Sequence, residues 1–224
     1  MSLSQLDHPN LIVVHYWPYQ GGKFFINCLS HHRDIMSQVS DHDYNTKLTQ
    51  IHNSLPPLSD ITKWTRYELG CRKFWGGNMH DIDAGGLEPL PQALSLLDQY
   101  RCFIVNHQCS NHNVTRVKTQ LPQARHIVLY NAEKFTELAI GLKQPNRTFL
   151  EWIDRNQLEH NGAFRFPDCD VVEDVFRLDV DSVYFYRELV RKEVERCLEW
   201  LGLDTQLDPS VDQLIDRYFT LHGL

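Results

Sequence analysis

The stretch LIVVHYWPYQGGKFFINCLS, residues 11–30, decides the fold that this sequence predicts. Residues 11–17 are apolar, β-branched and aromatic, a composition typical of a buried strand. Residues 18–22 contain a proline and two adjacent glycines and therefore predict a turn. From Lys23 to Ser30, apolar residues recur at helical spacing. The stretch thus predicts a strand, a tight turn and a helix in succession.

A glycine turn that leads into a helix is a common site for anions. The first backbone N–H groups of a helix lack internal acceptors, and the helix dipole adds positive potential there. Small residues in the turn let the backbone approach a phosphate closely, and a lysine adds a full charge. We therefore expect an anion site lined by Gly21, Gly22 and Lys23. The alternative is an ordinary turn between a strand and a helix, with glycines placed there by chance.

The stretch differs at two positions from the phosphate-binding loop of many nucleotide-binding proteins, G-x-x-x-x-G-K-[ST]. Trp17 replaces the first glycine, and Phe24 replaces the Ser or Thr whose hydroxyl holds Mg²⁺. A kinase or ATPase needs that hydroxyl to place the metal ion. The sequence therefore favours a P-loop relative that binds a phosphorylated nucleotide without metal.

Length and charge limit the class of protein. The 224 residues are enough for one α/β domain with a large core, and we expect a single domain over residues 1–224. The net charge of −7 argues against general nucleic-acid binding, which normally needs a basic face. No apolar run approaches the roughly 18 residues of a membrane span, and no signal peptide is recognisable, so we expect no membrane association.

The cysteines and histidines give no sign of a disulfide framework or a metal site. The six cysteines are scattered without a C-x-x-C pair, which predicts reduced, mostly buried thiols of a cytoplasmic protein. Among the twelve histidines, the pairs His31–His32 and His107–His112 lack a companion Cys or carboxylate at ligand spacing. We therefore expect no bound metal.

Short apolar segments alternate with helical patterns along the rest of the chain. Further strands are expected over residues 102–106, 126–130 and 174–180. Helices are expected over residues 60–74, 91–99, 133–142, 148–155, 187–201 and 209–218, the last capped by Asp208. The polar stretch that holds Val114 and Val117 is expected to connect two strands and to end at Pro122.

This order of elements predicts an α/β fold of three layers, with helices on both faces of a central, mainly parallel sheet of the P-loop type. Ligands of such sheets bind beyond the C-terminal ends of the strands. The residues of interest are therefore those that follow each strand, namely residues 18–23, 107–110 and 131–134.

At these strand ends the chain resembles the sulfotransferase family, P-loop-like proteins that transfer a sulfuryl group from 3′-phosphoadenosine 5′-phosphosulfate (PAPS). The family's first motif, roughly Pro-Lys-Ser-Gly-Thr-Thr-Trp, follows a strand. Its proline, first glycine and aromatic residue are matched here by Pro18, Gly21 and Phe24. Tyr19 stands at the family's lysine, and this chain offers Lys23 four residues later.

Two later segments extend the resemblance. Residues 104–107, IVNH, lie where family members often carry Ile-Lys-Thr-His-Leu-Pro, whose histidine is the catalytic base. Residues 131–132 fit the family's next strand end, Arg-Asn-Pro/Ala-Arg/Lys-Asp. Tyr130 replaces the Arg of that motif, and Leu138 lies where a Ser is expected on the following helix. In the family, that Arg and that Ser hold the 3′-phosphate.

The resemblance implies PAPS as co-substrate, its desulfated product 3′-phosphoadenosine 5′-phosphate (PAP), and a hydroxyl or amine acceptor on a small molecule or glycan. It implies that His107 deprotonates the acceptor and that Lys23 neutralises charge on the leaving phosphate. The residues expected to bind the nucleotide are Gln20, Gly21, Gly22, Lys23, Phe24, Asn131 and Lys134.

Two alternatives stay open. The losses at Tyr19, Tyr130 and Leu138 are compatible with a non-catalytic nucleotide- or ligand-binding protein on the same scaffold. A P-loop kinase is less favoured, because Phe24 removes the Mg²⁺ hydroxyl. The sequence carries no signature of the acceptor or of the oligomeric state.

The absence of a metal-binding hydroxyl at Phe24 gives the first testable prediction. Because no side chain at this position can hold Mg²⁺, nucleotide binding should not depend on the ion. Calorimetric titration with PAP should give the same Kd in EDTA and in millimolar Mg²⁺. A strict requirement for Mg²⁺ would favour the kinase alternative.

Overall fold

The computed structural model describes residues 7–17, 20–35, 97–98, 101–106, 109–142 and 172–224. Within these residues the chain forms a sheet of four strands, and every neighbouring pair is parallel. The strands lie in the order β2-β1-β3-β4 and are β1 (Leu11–His15), β2 (Cys102–Asn106), β3 (Arg125–Tyr130) and β4 (Phe176–Asp179). The predicted α/β class with a parallel sheet is confirmed.

Helices connect and cover these strands. They are α1 (Gly22–Leu29), α2 (Asn111–Gln120), α3 (Glu133–Leu142), α4 (Val180–Val183), α5 (Arg187–Trp200) and α6 (Ser210–His222). The predictions for α1, α3 and α5 are confirmed with bounds that differ by no more than one residue. The helices expected over residues 60–74 and 148–155 lie outside the described part of the chain, as does most of 91–99.

The strand β1 lies between β2 and β3 and pairs in parallel with both. All five of its residues are fully buried. A strand that is covered on both faces needs apolar residues at consecutive positions, and Leu-Ile-Val-Val supplies them before the polar His15. The strand predicted over residues 11–17 is confirmed in this shorter form.

One face of the sheet packs against α1 and α5, and α6 packs against these two helices. Phe176 of β4 stacks on Phe25 of α1, with 6.2 Å between ring centroids, and contacts Trp200 of α5 at 5.9 Å. The apolar stripe of α5 faces this core, as its helical spacing predicts. Its buried members are Val190, Val194, Cys197, Leu198 and Leu201.

The opposite face carries α2, a helix that the sequence did not predict. From sequence this stretch is only a polar connection, and its asparagines, threonines and valines are weak helix formers. Ser110 caps the helix by accepting a hydrogen bond from the Asn113 N–H at 3.3 Å. Val114 and Val117 are buried beneath it. Tertiary packing and one cap therefore stabilise a helix that local preference does not favour.

The last helix, α6, differs from its prediction at both ends. It runs on to His222 instead of ending at Tyr218. Its N-cap is Pro209, without a side-chain cap, so the predicted cap by Asp208 is wrong. Asp208 contributes its backbone carbonyl instead, which accepts a hydrogen bond from the Val211 N–H at 3.0 Å.

Three of the predicted thiols can be checked. Cys28, Cys109 and Cys197 are free and buried, which confirms the prediction for these positions. Burial raises the pKa of the Cys197 thiol well above its usual range, so this group stays protonated. No helix in the described ranges combines the length and the apolar character that a membrane crossing requires.

A buried polar chain crosses three strands beneath α2. His126 Nε2 lies 3.0 Å from the Leu121 carbonyl, which can only accept, so Nε2 carries the proton and Nδ1 accepts. That Nδ1 atom lies 3.0 Å from His15 Nε2, which therefore donates. His15 Nδ1 in turn accepts from the Asn106 side-chain amide at 3.0 Å. Both imidazoles are thus neutral, with one defined tautomer each, and both ring nitrogens of His15 have hydrogen-bond partners inside the sheet.

The neutral histidine pair predicts loss of stability in mild acid. Burial lowers the pKa of His15 and of His126, whereas both rings titrate near pH 6.5 in the unfolded chain. Below that pH the unfolded chain binds more protons, so the free energy of unfolding falls as pH falls, by at most about 1.4 kcal/mol per histidine between about pH 7.5 and 5.5.

Urea unfolding at the two pH values tests this expectation. The pH-dependent loss should be smaller by about 1 kcal/mol in His15→Gln than in the wild-type chain. His112→Gln, at an exposed position on α2, is the matched control and should leave the loss unchanged. An equal loss in all three proteins would contradict the neutral pair.

Candidate functional site

The C-terminal edge of the sheet brings the turn after β1 next to the start of α3. The chain places β2 on one side of β1 and β3 on the other, so the strand order reverses beside β1. In open parallel sheets the ligand crevice lies at such a point, outside the carboxyl ends of the strands. The turn and α3 meet there, because a Cβ atom added to Gly21 would lie 3.0 Å from the Phe135 ring.

Gly21 is the centre of the turn. Its φ of 73° lies in the left-handed region that favours glycine. Its carbonyl accepts hydrogen bonds from the N–H groups of Phe24 at 2.9 Å and Phe25 at 3.2 Å, which start α1. The same carbonyl accepts from the Tyr184 hydroxyl at 3.1 Å. One backbone oxygen therefore joins the turn, the first helix and the segment after α4.

Aromatic rings of the chain itself fill the space beside both glycines. A Cβ atom at Gly21 would lie 2.4 Å from Tyr184 Cε2, and one at Gly22 would lie 2.3 Å from Tyr16 Cδ1. Neither distance is compatible with a side chain at these positions. The glycine pair, interpreted from sequence as room for a phosphate, thus also meets a packing demand that only the folded chain reveals.

The amide groups of the turn differ in what they can still bind. The Phe24 N–H is used inside the helix start, since it donates to Gly21. The N–H groups of Gly21 and Gly22 donate to no residue that the structure describes. The backbone of Lys23 lies in the first turn of α1, whereas its side chain lies outside the description. An anion at this helix start would therefore meet the two glycine amides.

Two other predicted nucleotide-binding residues have side chains engaged within the protein. Gln20 is 1% exposed, and its side-chain oxygen accepts from the Trp17 N–H at 2.7 Å. Phe24 is 6% exposed and stacks on Tyr218, with 3.5 Å between ring centroids. Gln20 thus closes the turn, and Phe24 packs in the core. Neither side chain is placed to contact a ligand.

A cluster of three buried aromatic rings packs against the turn and consists of Phe135, Tyr184 and Tyr218. Burial raises the pKa of Tyr184 and Tyr218 well above the usual value, so both hydroxyls stay neutral. Phe135 contacts both rings, at 5.1 Å from Tyr184 and 6.1 Å from Tyr218 between centroids. These packed rings hold the turn in one conformation before any ligand binds. Binding at the turn therefore does not carry the entropic cost of ordering it.

The N-terminus of α3 is filled by a carboxylate of the chain. Ala132, which precedes the helix, has no side chain that could cap it. The two oxygens of Asp181 accept from the Lys134 N–H at 2.9 Å and the Phe135 N–H at 2.8 Å. Burial raises the pKa of Asp181, and the two backbone hydrogen bonds oppose that shift.

The predicted residue Asn131 is hydrogen-bonded to Asp179 and to Asp181. It has a positive φ of 50°, and its side-chain amide donates to Asp179 at 2.8 Å. Its carbonyl accepts from the backbone N–H of Asp181 at 2.7 Å. Asn131 and Lys134 therefore follow β3 at the C-terminal edge of the sheet, and both are hydrogen-bonded to residues 179–181 at the end of β4 and after it. Asp181 was missed, because it lies 47 positions from Lys134 and no local pattern joins them.

A guanidinium lies at the end of β3 where the sulfotransferase motif would carry its Arg. That position is Tyr130 in this chain, and the Arg177 guanidinium of β4 lies over its ring, 4.6 Å from the centroid. A positive group of the neighbouring strand therefore lies beside the end of β3. His107, the predicted base, lies outside the described residues, and in the part that is described no three His, Cys, Asp or Glu side chains are arranged to hold a metal ion.

No protein-family model matches the sequence, and no curated protein matches it. The chain is similar to the crystal structure of a sulfotransferase from Alicyclobacillus acidocaldarius, over 96% of each chain, with 13% identity and a TM-score of 0.41. Similarity at this level assigns no function.

The close packing at Gly21 predicts that alanine there destabilises the protein beyond the cost of the left-handed backbone. Gly202 is a matched control, since it has a φ of 74° and an added Cβ atom would meet nothing within 4 Å. Gly202→Ala should lower the free energy of unfolding by about 1–2 kcal/mol. Gly21→Ala should cost about 1–3 kcal/mol more, because its methyl group overpacks against Tyr184. Equal costs in urea unfolding would contradict this account of the turn.

Proposed function

We propose that this protein is a sulfotransferase that binds PAPS at the turn after β1 and transfers its sulfuryl group to a hydroxyl or amine acceptor. The observation that carries the proposal is the glycine turn at the crevice. Gly21 and Gly22 lie at the N-terminus of α1, and their amides donate to no described residue. Backbone N–H groups at a helix start suit the 5′-phosphosulfate group of the donor.

The proposed reaction needs charge stabilisation and a base. The bond between sulfur and the bridging phosphate oxygen breaks, a bond from sulfur to the acceptor oxygen or nitrogen forms, and PAP leaves. In this proposal the α1 N-terminus and Lys23 stabilise the charge that develops on the leaving phosphate. His107 takes the proton of the acceptor, since an imidazole titrates near neutral pH. The free thiols of Cys28, Cys109 and Cys197 favour the cytoplasm as its location.

A second function, nucleotide binding without catalysis, is favoured by a specific observation. The start of α3 holds the Asp181 carboxylate, whereas a 3′-phosphate bound there would need the same N–H groups. The start of α1 therefore suits the 5′-phosphosulfate group of PAPS, whereas the start of α3, which holds Asp181, does not suit the 3′-phosphate. A protein with this arrangement could bind a nucleotide and lack turnover.

Titration and turnover of two matched pairs of variants separate these functions. Lys23→Ala should weaken PAP binding and lower the rate, because the lysine charge meets the phosphate in both the ground state and the transition state. Lys192→Ala removes an exposed lysine of α5 and should change neither quantity. His107→Ala should lower the rate by about 10²–10⁴-fold and leave PAP affinity nearly unchanged. His112→Ala, at an exposed position on α2, is its control.

The outcomes are distinct. Binding of PAP together with a rate that depends on His107 supports the sulfotransferase. Binding of PAP with no turnover over a panel of hydroxyl and amine acceptors supports the non-catalytic protein. Failure of the wild-type chain to bind PAP in calorimetry contradicts both.

A further inference from the structure

The buried polar chain beneath α2 has a fixed capacity for protons. His15 lies 3.0 Å from Asn106 on one side and 3.0 Å from His126 on the other. His126 in turn lies 3.0 Å from the Leu121 carbonyl. The three side chains are at most 1% exposed, so water cannot replace these partners. Each contact therefore holds one proton, because two donors that face each other at this distance form no hydrogen bond.

Only one end of this chain can change its role. The Leu121 carbonyl accepts and has no proton to give, so the contact with His126 Nε2 stays as it is. The Asn106 side chain carries both an NH₂ group and an oxygen. In the neutral chain its NH₂ group donates to His15 Nδ1. A half-turn of the amide would present the oxygen instead, and that oxygen would accept from a protonated Nδ1.

We propose that Asn106, His15 and His126 form a switch that takes up one proton and turns the Asn106 amide. A proton from solvent binds to His15 Nδ1, and the Asn106 oxygen accepts it. The proton between the two rings then lies on either nitrogen, so the positive charge belongs to the histidine pair. All three contacts keep a hydrogen bond. A second proton would place two donors between the rings and break the chain.

The charges around the two rings set the pH at which the switch acts. Burial lowers the pKa of His15 well below its usual range, and His126 lowers it further. Burial also lowers the pKa of His126, and its hydrogen bond to Leu121 opposes that shift. Lys118 of α2 lowers the pKa of His126, whereas Asp7 raises it. The proton should therefore bind below about pH 6.5, the usual midpoint of a histidine.

The group that turns lies at the C-terminal edge of the sheet. Asn106 is the last residue of β2, and its backbone carbonyl accepts from the Tyr16 N–H at 3.0 Å, directly after β1. Its side chain contacts His15 inside the sheet. The switch therefore links a proton in the core to the orientation of one amide group at the end of a central pair of strands.

Long-range ¹H–¹⁵N correlation NMR of the full ¹⁵N-labelled chain tests the switch, because it distinguishes protonated from bare ring nitrogens. His15→Gln and His126→Gln assign the two rings. Between about pH 7.5 and about pH 5, we expect His15 Nδ1 to gain a proton while His126 Nε2 keeps its own. The side-chain amide signals of Asn106 should shift with the same midpoint. No nucleotide is needed, so the result is independent of the proposed function.

Two substitutions of Asn106 provide a matched pair. Asn106→Asp supplies a carboxylate, which accepts and does not donate, so it favours the protonated form of His15 Nδ1. The midpoint for protonation of that nitrogen should rise by about 1–3 pH units. Asn106→Leu has nearly the same size and offers no acceptor, so its midpoint should lie below that of the wild-type chain. Thermal unfolding identifies the variants that are folded at the temperature of measurement.

Three results would overturn the switch. The first is a His15 Nδ1 atom that stays bare until the wild-type chain unfolds in acid. The second is a proton on that atom without a change in the Asn106 amide signals. The third is an equal shift of the midpoint in Asn106→Asp and Asn106→Leu, since the loss of packing would then account for both. If neither variant folds, the titration of the wild-type chain decides by itself.

Discussion

The carbonyl group of Gly21 is the interaction on which the rest of the site depends. It accepts from Phe24, Phe25 and Tyr184, so it fixes the start of α1 and ties that start to the segment after α4. This requires a left-handed backbone at residue 21 and no side chain there. The direction in which the Gly21 and Gly22 amides face is set by the same contacts, which makes the packing of the aromatic cluster a condition for any anion site at this turn.

The sheet and the crevice use polar groups in opposite ways. Inside the sheet, Asn106, His15 and His126 satisfy one another as neutral groups, since burial lowers the pKa of both histidines. At the crevice, helix dipoles and a carboxylate interact as partial and full charges. The first arrangement excludes charge from the core, and the second concentrates it where a ligand can reach.

The structure gives two different states to two helix starts that look alike in sequence. Each follows a strand of the parallel sheet and faces the same crevice. The start of α1 has glycine amides without a described acceptor, whereas that of α3 is capped by Asp181 from a distant part of the chain.

The sequence by itself determined the strands β1, β2 and β3, the helices α1, α3 and α5, and the parallel order, because consecutive β-branched residues and helical apolar stripes are local patterns. It also placed Gly21 and Asn131 at the edge of the sheet. Only the tertiary structure decided that α2 is a helix, since buried Val114 and Val117 stabilise it against its weak local preference. Likewise, only the fold brings the carboxylate of Asp181 to the start of α3, because a hydrogen bond across 47 positions leaves no periodic trace in the sequence.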